Sequence, residues 1–325
     1  MYLKKRKVNG IYYWSIVETF RQDGKIKQRI VENLGNTEKA YVILQEKKEY
    51  SPFLKTVAQY AEVRSPLLWF GGKSKLAKTI IELMPQHKTY VEPFGGAGHV
   101  LVQKKRAPVE VYNDLNKEVV NFLMVVREQP ERFYQAVETL PYSRELYESW
   151  RKSSLPDDTF ERAVRWFYIN RGGIVGAHKG QPGGWRHGKS HNTVGSYRSA
   201  VELINPLAER LRRVNIESKD FREIIEKYDS PDTFFYIDPP YVGRESRYDG
   251  GFSEKDHRDL AELLSHIKGK AFVSYYADPI IDELYADWHV KKFETYAFSK
   301  LVKQDQQKDK TVELFITNYP CEVSA

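Results

Sequence analysis

The stretch FFYIDPPYVG, Phe234 to Gly243, is a β-prone aromatic run that ends in an acid, two prolines and a tyrosine. Proline has no N–H to give to a ladder, and it biases the residue before it away from the helical region. The strand therefore stops at Asp238, and the chain turns a rigid corner. That corner offers one carboxylate, carbonyls that no secondary structure consumes, and one ring. A surface turn is the plain reading of any Pro-Pro pair; the surroundings of this one favour a site.

Outward from the corner, KTYVEPF, VEVYND, VNIES, KAFVSYY, WHVKKFET and VELFITNY read as further strands. Amphipathic stretches such as KLAKTIIELM, KEVVNFLMVVRE and SEKDHRDLAELLSHI read as helices between most of them. This alternation predicts an α/β fold, a doubly wound and mainly parallel seven-stranded sheet. Such sheets bind ligands outside the carboxyl ends of their strands. Both EPFGGAG and DPPY stand at such ends.

The 325 residues suffice for one large α/β domain and a smaller module. With 41% hydrophobic residues, a mean hydropathy of -0.60 and no apolar run long enough for a bilayer, the composition is that of a globular protein without a membrane partner. The start, MYLKKRKVNG, lacks the hydrophobic stretch of a signal peptide, and a cytoplasmic location is the expectation. A single cysteine, Cys321, excludes an internal disulfide framework and most cysteine metal sites. The formal charge of +7 and pI near 9.1 suit an anionic partner such as nucleic acid.

Residues 1–48 read as a separate module of unassigned role. IYYWSIVETF and KIKQRIVENL are β-prone runs around an Asp-Gly turn, and a short helix follows from Thr37. This segment resembles the N-terminal hairpin module of some bacterial transposases; a decorated edge of the main domain is the alternative. A second break in the alternation is residues 171–198, with eight glycines, five Lys or Arg and no acid. A loop-rich insertion with a positive face predicts DNA contact through Arg171, Lys179, Trp185, Arg186, Lys189, Tyr197 and Arg198. His178, His187 and His191 in it lack the partners of a metal site, and no obligatory metal is expected.

YVEPFGGAGHV, Tyr90 to Val100, delivers a strand into a turn in which Gly95, Gly96 and Gly98 let the backbone approach a ligand. Asp114, at the end of the next strand, is placed to accept from ribose hydroxyls. Alone this fits any nucleoside cofactor, NAD included. Glu92 and Pro93, however, put an acid and an imino residue where a pyrophosphate wants N–H donors. An acid suits a cationic ligand instead, and S-adenosylmethionine carries both an amine and a sulfonium. In LLWFGGKSK the Gly-Gly-Lys-Ser lacks the spacing of a phosphate-binding loop, and Lys73 at a helix start could hold the carboxylate of the same cofactor.

These motifs, in this order, make the chain resemble the Dam-like N6-adenine-specific DNA methyltransferases, over about residues 65–320. The resemblance implies a Rossmann-like methyltransferase sheet, an inserted target-recognition region at 150–213, and methyl transfer from S-adenosylmethionine to N6 of a flipped adenine in double-stranded DNA. It implies cofactor contacts at Trp69 and Lys73, at the turn Glu92, Pro93, Phe94, Gly95 and Gly96, and at Asp114, with Asp220 and Phe221 near the cofactor adenine. Asp238, Pro239, Pro240 and Tyr241 would be catalytic, with Asp238 also reaching the cofactor and Tyr241 stacking on the base. A cognate restriction enzyme is a further partner of such proteins. Leu68 departs from the pattern, because members that read GATC commonly carry lysine there. N4 of cytosine is the rival target, although that motif usually begins with Ser, and a silent DNA-binding protein of the same fold is the non-enzymatic alternative.

Overall fold

The computed structural model describes residues 1–8, 11–58, 63–174, 183–188, 192–245, 248, 251–296 and 310–320. Ten strands are present among the described residues: β1 (Tyr2–Val8), β2 (Ile11–Gln22), β3 (Lys25–Asn36), β4 (Thr89–Glu92), β5 (Val109–Asn113), β6 (Val214–Glu217), β7 (Thr233–Ile237), β8 (Lys270–Tyr276), β9 (His289–Tyr296) and β10 (Lys310–Thr317). The last seven form one sheet in the order β6-β5-β4-β7-β8-β10-β9. Strands β4 to β8 run parallel, while β10 lies antiparallel between β8 and β9. The chain thus works outward from β4 to β6, then returns to place β7 on the other side of β4. That reversal is the topological switch point at which doubly wound sheets open a crevice.

Strand alternation explains the two layers of core. Tyr90, Tyr112, Phe234, Tyr236, Phe272 and Phe315 point to one face, where helices 117–128, 159–172 and 204–211 cover them. Val91, Val111, Phe235, Ile237, Val273 and Ile316 point to the other, under helices 221–228 and 254–265. Burial on both faces is why these strands are near-continuous apolar runs. The helix starts are written in the sequence: the Asn116 side chain caps Lys117–Glu128, and Ser253 with Asp256 forms a reciprocal capping box.

The N-terminal residues make a three-stranded antiparallel sheet, β1-β2-β3, one strand more than the two expected. Asp23 and Gly24 both have positive φ (53° and 72°), the requirement of a tight hairpin whose twist matches its strands. Trp14, Ile16, Leu34, Tyr41, Leu44, Tyr50 and Val57 form a separate small core, so the packed unit runs through helix 51–58. This unit leans on the main sheet through helix 37–46 against helix 204–211. No helix among the described residues is long and apolar enough to cross a membrane.

Candidate active site

Because β4 and β7 are parallel neighbours, the glycine turn after one and the proline corner after the other emerge at the same rim. Between them lies a cavity of about 340 Å³, bounded by Trp69, Glu92, Gly96, Asp114, Phe221 and Asp238 among others. The glycine turn is held from behind. Asp114 Oδ2 accepts from the Gly96 N–H at 2.7 Å, and the Tyr112 hydroxyl donates to the Gly96 carbonyl at 2.6 Å. A Cβ on Gly95 would lie 2.1 Å from the Tyr112 ring, and one on Gly96 would lie 2.5 Å from the Trp69 indole nitrogen. The first clash gives glycine at Gly95 a further reason: the turn sits directly on the Tyr112 ring.

Glu92 is 1% exposed. Its Oε1 accepts from the Tyr90 hydroxyl at 3.1 Å, while its Oε2 is buried with no hydrogen-bond partner among the described residues. Burial pushes its carboxyl up to about 8, against the pull of the Tyr90 hydroxyl. The Tyr236 hydroxyl, on the adjacent strand and also at the cavity, is likewise buried without a partner. Orphaned buried polar atoms cost about 1–3 kcal/mol each. Two of them at one cavity wall fit a polar ligand group there.

At the corner, the Lys73 ammonium donates to Asp238 Oδ1 and Oδ2 at 2.7 and 2.9 Å and to the Gly71 carbonyl at 3.0 Å, with Glu313 Oε1 at 3.4 Å. Burial opposes its charge, yet the Asp238 and Glu313 carboxylates hold its pKa above the usual lysine value. An ammonium has three protons, and all three are engaged. Lys73 therefore does not stand free to hold a ligand carboxylate, as the sequence suggested; it neutralises the corner. Burial keeps Asp238 above the usual carboxylate range, with Lys73 pulling it back.

Tyr241 also differs from expectation. Its ring is 5% exposed and packs edge-on against Tyr276 at 4.6 Å, so no face is open for a base. Its hydroxyl instead lies among Asp238 Oδ1 (3.1 Å), Ser274 Oγ (3.1 Å) and Glu313 Oε1. The proline corner turns the side chain back under the sheet edge. Pro240 lines the cavity and Pro239 is buried beside it. The ring that does face the cavity by Asp238 is Tyr248, edge-on to Phe70 at 6.2 Å.

Phe94 and Phe221 meet at 5.4 Å between centroids, and Phe252 completes an aromatic wall at 5.8 Å from each. Asp220 does not line the cavity: it caps helix 221–228 through the Arg222 N–H, and its carboxylate faces the Arg222 guanidinium. Pro93 gives its carbonyl to Asn113 Nδ2 at 2.8 Å, which ties the glycine turn to the end of β5.

The basic insertion is less open than its composition implied. Arg171 is 8% exposed and donates to the Pro66 carbonyl at 3.0 Å and to Ser196 at 2.9 and 3.1 Å; burial pulls it down to about 10. Tyr197 is 1% exposed with its hydroxyl on the Val137 carbonyl. Trp185 packs on Tyr142 at 4.4 Å, and Arg198 pairs with Glu138. Arg186 is half-buried, with its backbone N–H on the Gly172 carbonyl. Arg171, Trp185 and Tyr197 are thus internal braces, because the insertion must pack against helix 159–172. Lys179, Lys189, His178 and His191 lie outside the described residues. No cluster of three metal-ligating side chains occurs among the described residues.

Sequence reasoning missed Glu313, Ser274, Tyr248, Phe252 and Asn170. Asn170 clamps Leu68 by donating to its carbonyl (2.8 Å) and accepting from its N–H (2.9 Å), which sets the segment carrying Trp69 and Lys73. Glu313 had a signal: a lone acid in an otherwise apolar strand, 2% exposed.

Comparison with known proteins adds the reaction. Residues 3–49 match the N-terminal domain of the IS1634 family of transposases. A type II methyltransferase of Lactococcus lactis subsp. cremoris is 27% identical over 277 residues, covering 77% of this chain and 94% of its own. A type II methyltransferase of Methanocaldococcus jannaschii is 25% identical over 297 residues, covering 79% and 100%. A DNA adenine methylase of Vibrio cholerae is 28% identical over 216 residues, covering 62% and 75%. Residues 69–306, nearly three quarters of the chain and including both the glycine turn and the Asp-Pro-Pro-Tyr corner, match the D12 class, and the protein therefore belongs to the D12 class N6 adenine-specific DNA methyltransferase family.

Proposed function

We propose that the cavity binds S-adenosylmethionine and that Asp238 presents to it the N6 amine of an adenine extruded from duplex DNA. The observation that carries this is the pairing at one rim of an unsatisfied buried acid, Glu92, with an ion-paired acid, Asp238. S-adenosylmethionine supplies an electrophilic methyl group on a sulfonium that leaves as a neutral thioether. Glu92 Oε2 and the Tyr236 hydroxyl would receive its ammonium end, Asp114 its ribose hydroxyls, and the Phe94, Phe221 and Phe252 wall its adenine.

Asp238 Oδ1 accepts from Lys73 and Tyr241, while Oδ2 accepts from Lys73 alone among the described residues and keeps a lone pair, and the side chain is 19% exposed at the cavity. The carboxylate and the Pro239 carbonyl would accept from the two protons of the target amine and draw its lone pair out of the ring. The nitrogen then forms the new bond to carbon, the carbon–sulfur bond breaks, and the amine proton passes through Asp238 to solvent. Lys73 keeps Asp238 ionised for that task. Positioning supplies most of the acceleration. Extruding the base costs a few kcal/mol, which stacking on Tyr248 would offset in part. The helices within 150–213 would carry target recognition.

Asp238→Ala tests the assignment. Methylation of adenine in DNA should disappear while S-adenosylmethionine still raises the melting temperature. Near-normal turnover, or methyl groups mapped to cytosine N4 in DNA from cells expressing the wild-type chain, would overturn it.

A further inference from the structure

The outer half of the N-terminal hairpin is used by nothing described above. Residues 19–31, the end of β2, its turn and the start of β3, are all exposed, so the two strands project as a ribbon beyond their own core. At the rise per residue of a strand, the exposed part of β2 extends by about 14 Å and that of β3 by about 24 Å. Residues 1–36 hold eight Lys and Arg against three acids, which is five of the chain's seven excess positive charges in a ninth of its length. On one ribbon face, cross-strand pairing aligns Phe20 with Lys27 and Gln22 with Lys25, and Arg29 pairs with Glu18 while lying 5.8 Å over the Phe20 ring. On the other face, Arg21 stands opposite Ile26. Ile26 and Ile30 are 68% and 59% exposed, a liability on a ribbon that nothing covers.

We infer that this ribbon is a second DNA-contacting arm, one that grips duplex DNA outside the segment being methylated. A two-stranded ribbon fits the major groove; its Lys and Arg meet phosphates, and short apolar side chains meet thymine methyls. Its place on the molecule defines which DNA it reaches. The module docks through helix 37–46, where Tyr41 lies near Arg106, Glu209 and Arg212. Arg106 and Arg212 directly precede β5 and β6 and so mark the rim opposite the cavity. One short duplex cannot occupy both; a long one that bends around the protein can, and the arm then acts as a tether that raises the effective DNA concentration at the cavity.

The test uses the full chain without methyl donor, so that it stands apart from the catalytic assignment. Lys25→Ala/Lys27→Ala/Arg29→Ala removes three exposed cations, and Lys255→Ala/Lys268→Ala/Lys270→Ala removes three from the main domain as a charge-matched control. Binding is read by anisotropy on duplexes of about 12 and about 60 base pairs across a salt series. For the ribbon variant, affinity for the long duplex should fall about tenfold or more, and the slope of log K against log salt should flatten by about 2–3. The short duplex should be little affected, and Lys25→Arg/Lys27→Arg/Arg29→Lys should restore the slope. Unchanged long-duplex binding overturns the inference, as does an equal loss in the control. Self-association that the triple variant abolishes, with DNA binding intact, would assign the ribbon to a second copy of the chain instead.

Discussion

Replacing Lys73 with methionine removes the only cation in direct contact with Asp238 among the described residues while keeping most of the volume of the stem. What remains is Asp238 and Glu313, two buried carboxylates joined through the Tyr241 hydroxyl. Breaking a buried pair from one side costs about 3–5 kcal/mol. Asp238 keeps 19% of its side-chain exposure, which favours the lower end, about 3 kcal/mol. For a domain of this size that is roughly 6–10 °C in melting temperature. The sign with pH is specific. Without Lys73 the Asp238 pKa rises further above its unfolded value, so the folded state holds a proton that the unfolded state has released. Stability of the variant then falls as pH rises through that interval and recovers as pH falls below it. Lys73 itself, raised in the folded wild type, contributes fully below its unfolded value and is lost only in strong alkali. Scanning fluorimetry from pH 5 to 9 should therefore show a wild-type advantage that is full at pH 8 and shrinks toward pH 5. The acid limb of the methylation rate should move to higher pH in parallel. An equal melting temperature at pH 8, or a deficit that widens on acidification, would refute the role given to this ion pair.

Gly95→Ala places a methyl 2.1 Å from the Tyr112 ring, so the turn or the tyrosine must shift. A loss of about 1–3 kcal/mol and a large drop in donor affinity are expected by scanning fluorimetry with and without S-adenosylmethionine; unimpaired binding would show that the turn does not shape the site. Glu92, held at about 8, is mostly neutral at pH 7 in the free protein. A cationic ligand at Oε2 favours the carboxylate, so binding should release up to one proton, measured by calorimetry in buffers of different ionisation enthalpy, and Glu92→Gln should release none. Because the folded pKa exceeds the unfolded one, Glu92 also makes wild-type stability fall as pH rises from about 4.5 to 8, and the glutamine variant should flatten that slope.

The main sheet was legible because its central strands, buried on both faces, are apolar runs, and these and the two more polar edge runs all became strands. The glycine turn and Asp114 were legible because their partners are local in motif and register. The charge network was not. Lys73 and Asp238 are separated by 165 residues and Tyr241 and Glu313 by 72, and no periodicity connects them. At Arg171 composition was a poor guide to environment. Five cations without an acid looked like a DNA face, but backbone carbonyls can satisfy a guanidinium as well as phosphates can, and Arg171 bonds to those of Pro66 and Ser196. Asp220 was misread although its signature was present: Asp220 with Glu223 three residues on is a helix start, and that helix start uses the carboxylate.

The sheet order carries the chemistry more than any single motif does. Val91 pairs with Phe235 in parallel, so the strands carrying Glu92 and Asp238 must end together, whatever loops follow. Two acids brought to one rim in a dry setting cannot both remain charged without compensation. They are treated differently: Asp238 receives Lys73, whereas Glu92 accepts from the Tyr90 hydroxyl without an ion pair among the described residues, and burial pushes its carboxyl up to about 8. The asymmetry sorts their tasks. Under the proposed function the compensated acid would accept from a neutral amine, and a positive ligand would restore the charge of the other. The aromatic wall of Phe94, Phe221 and Phe252 and the Tyr248 ring line the same cavity as these two acids. Under the proposed function the donor's ammonium end would sit at Glu92 and the target amine at Asp238, and the two parallel strand ends would fix their relative positions.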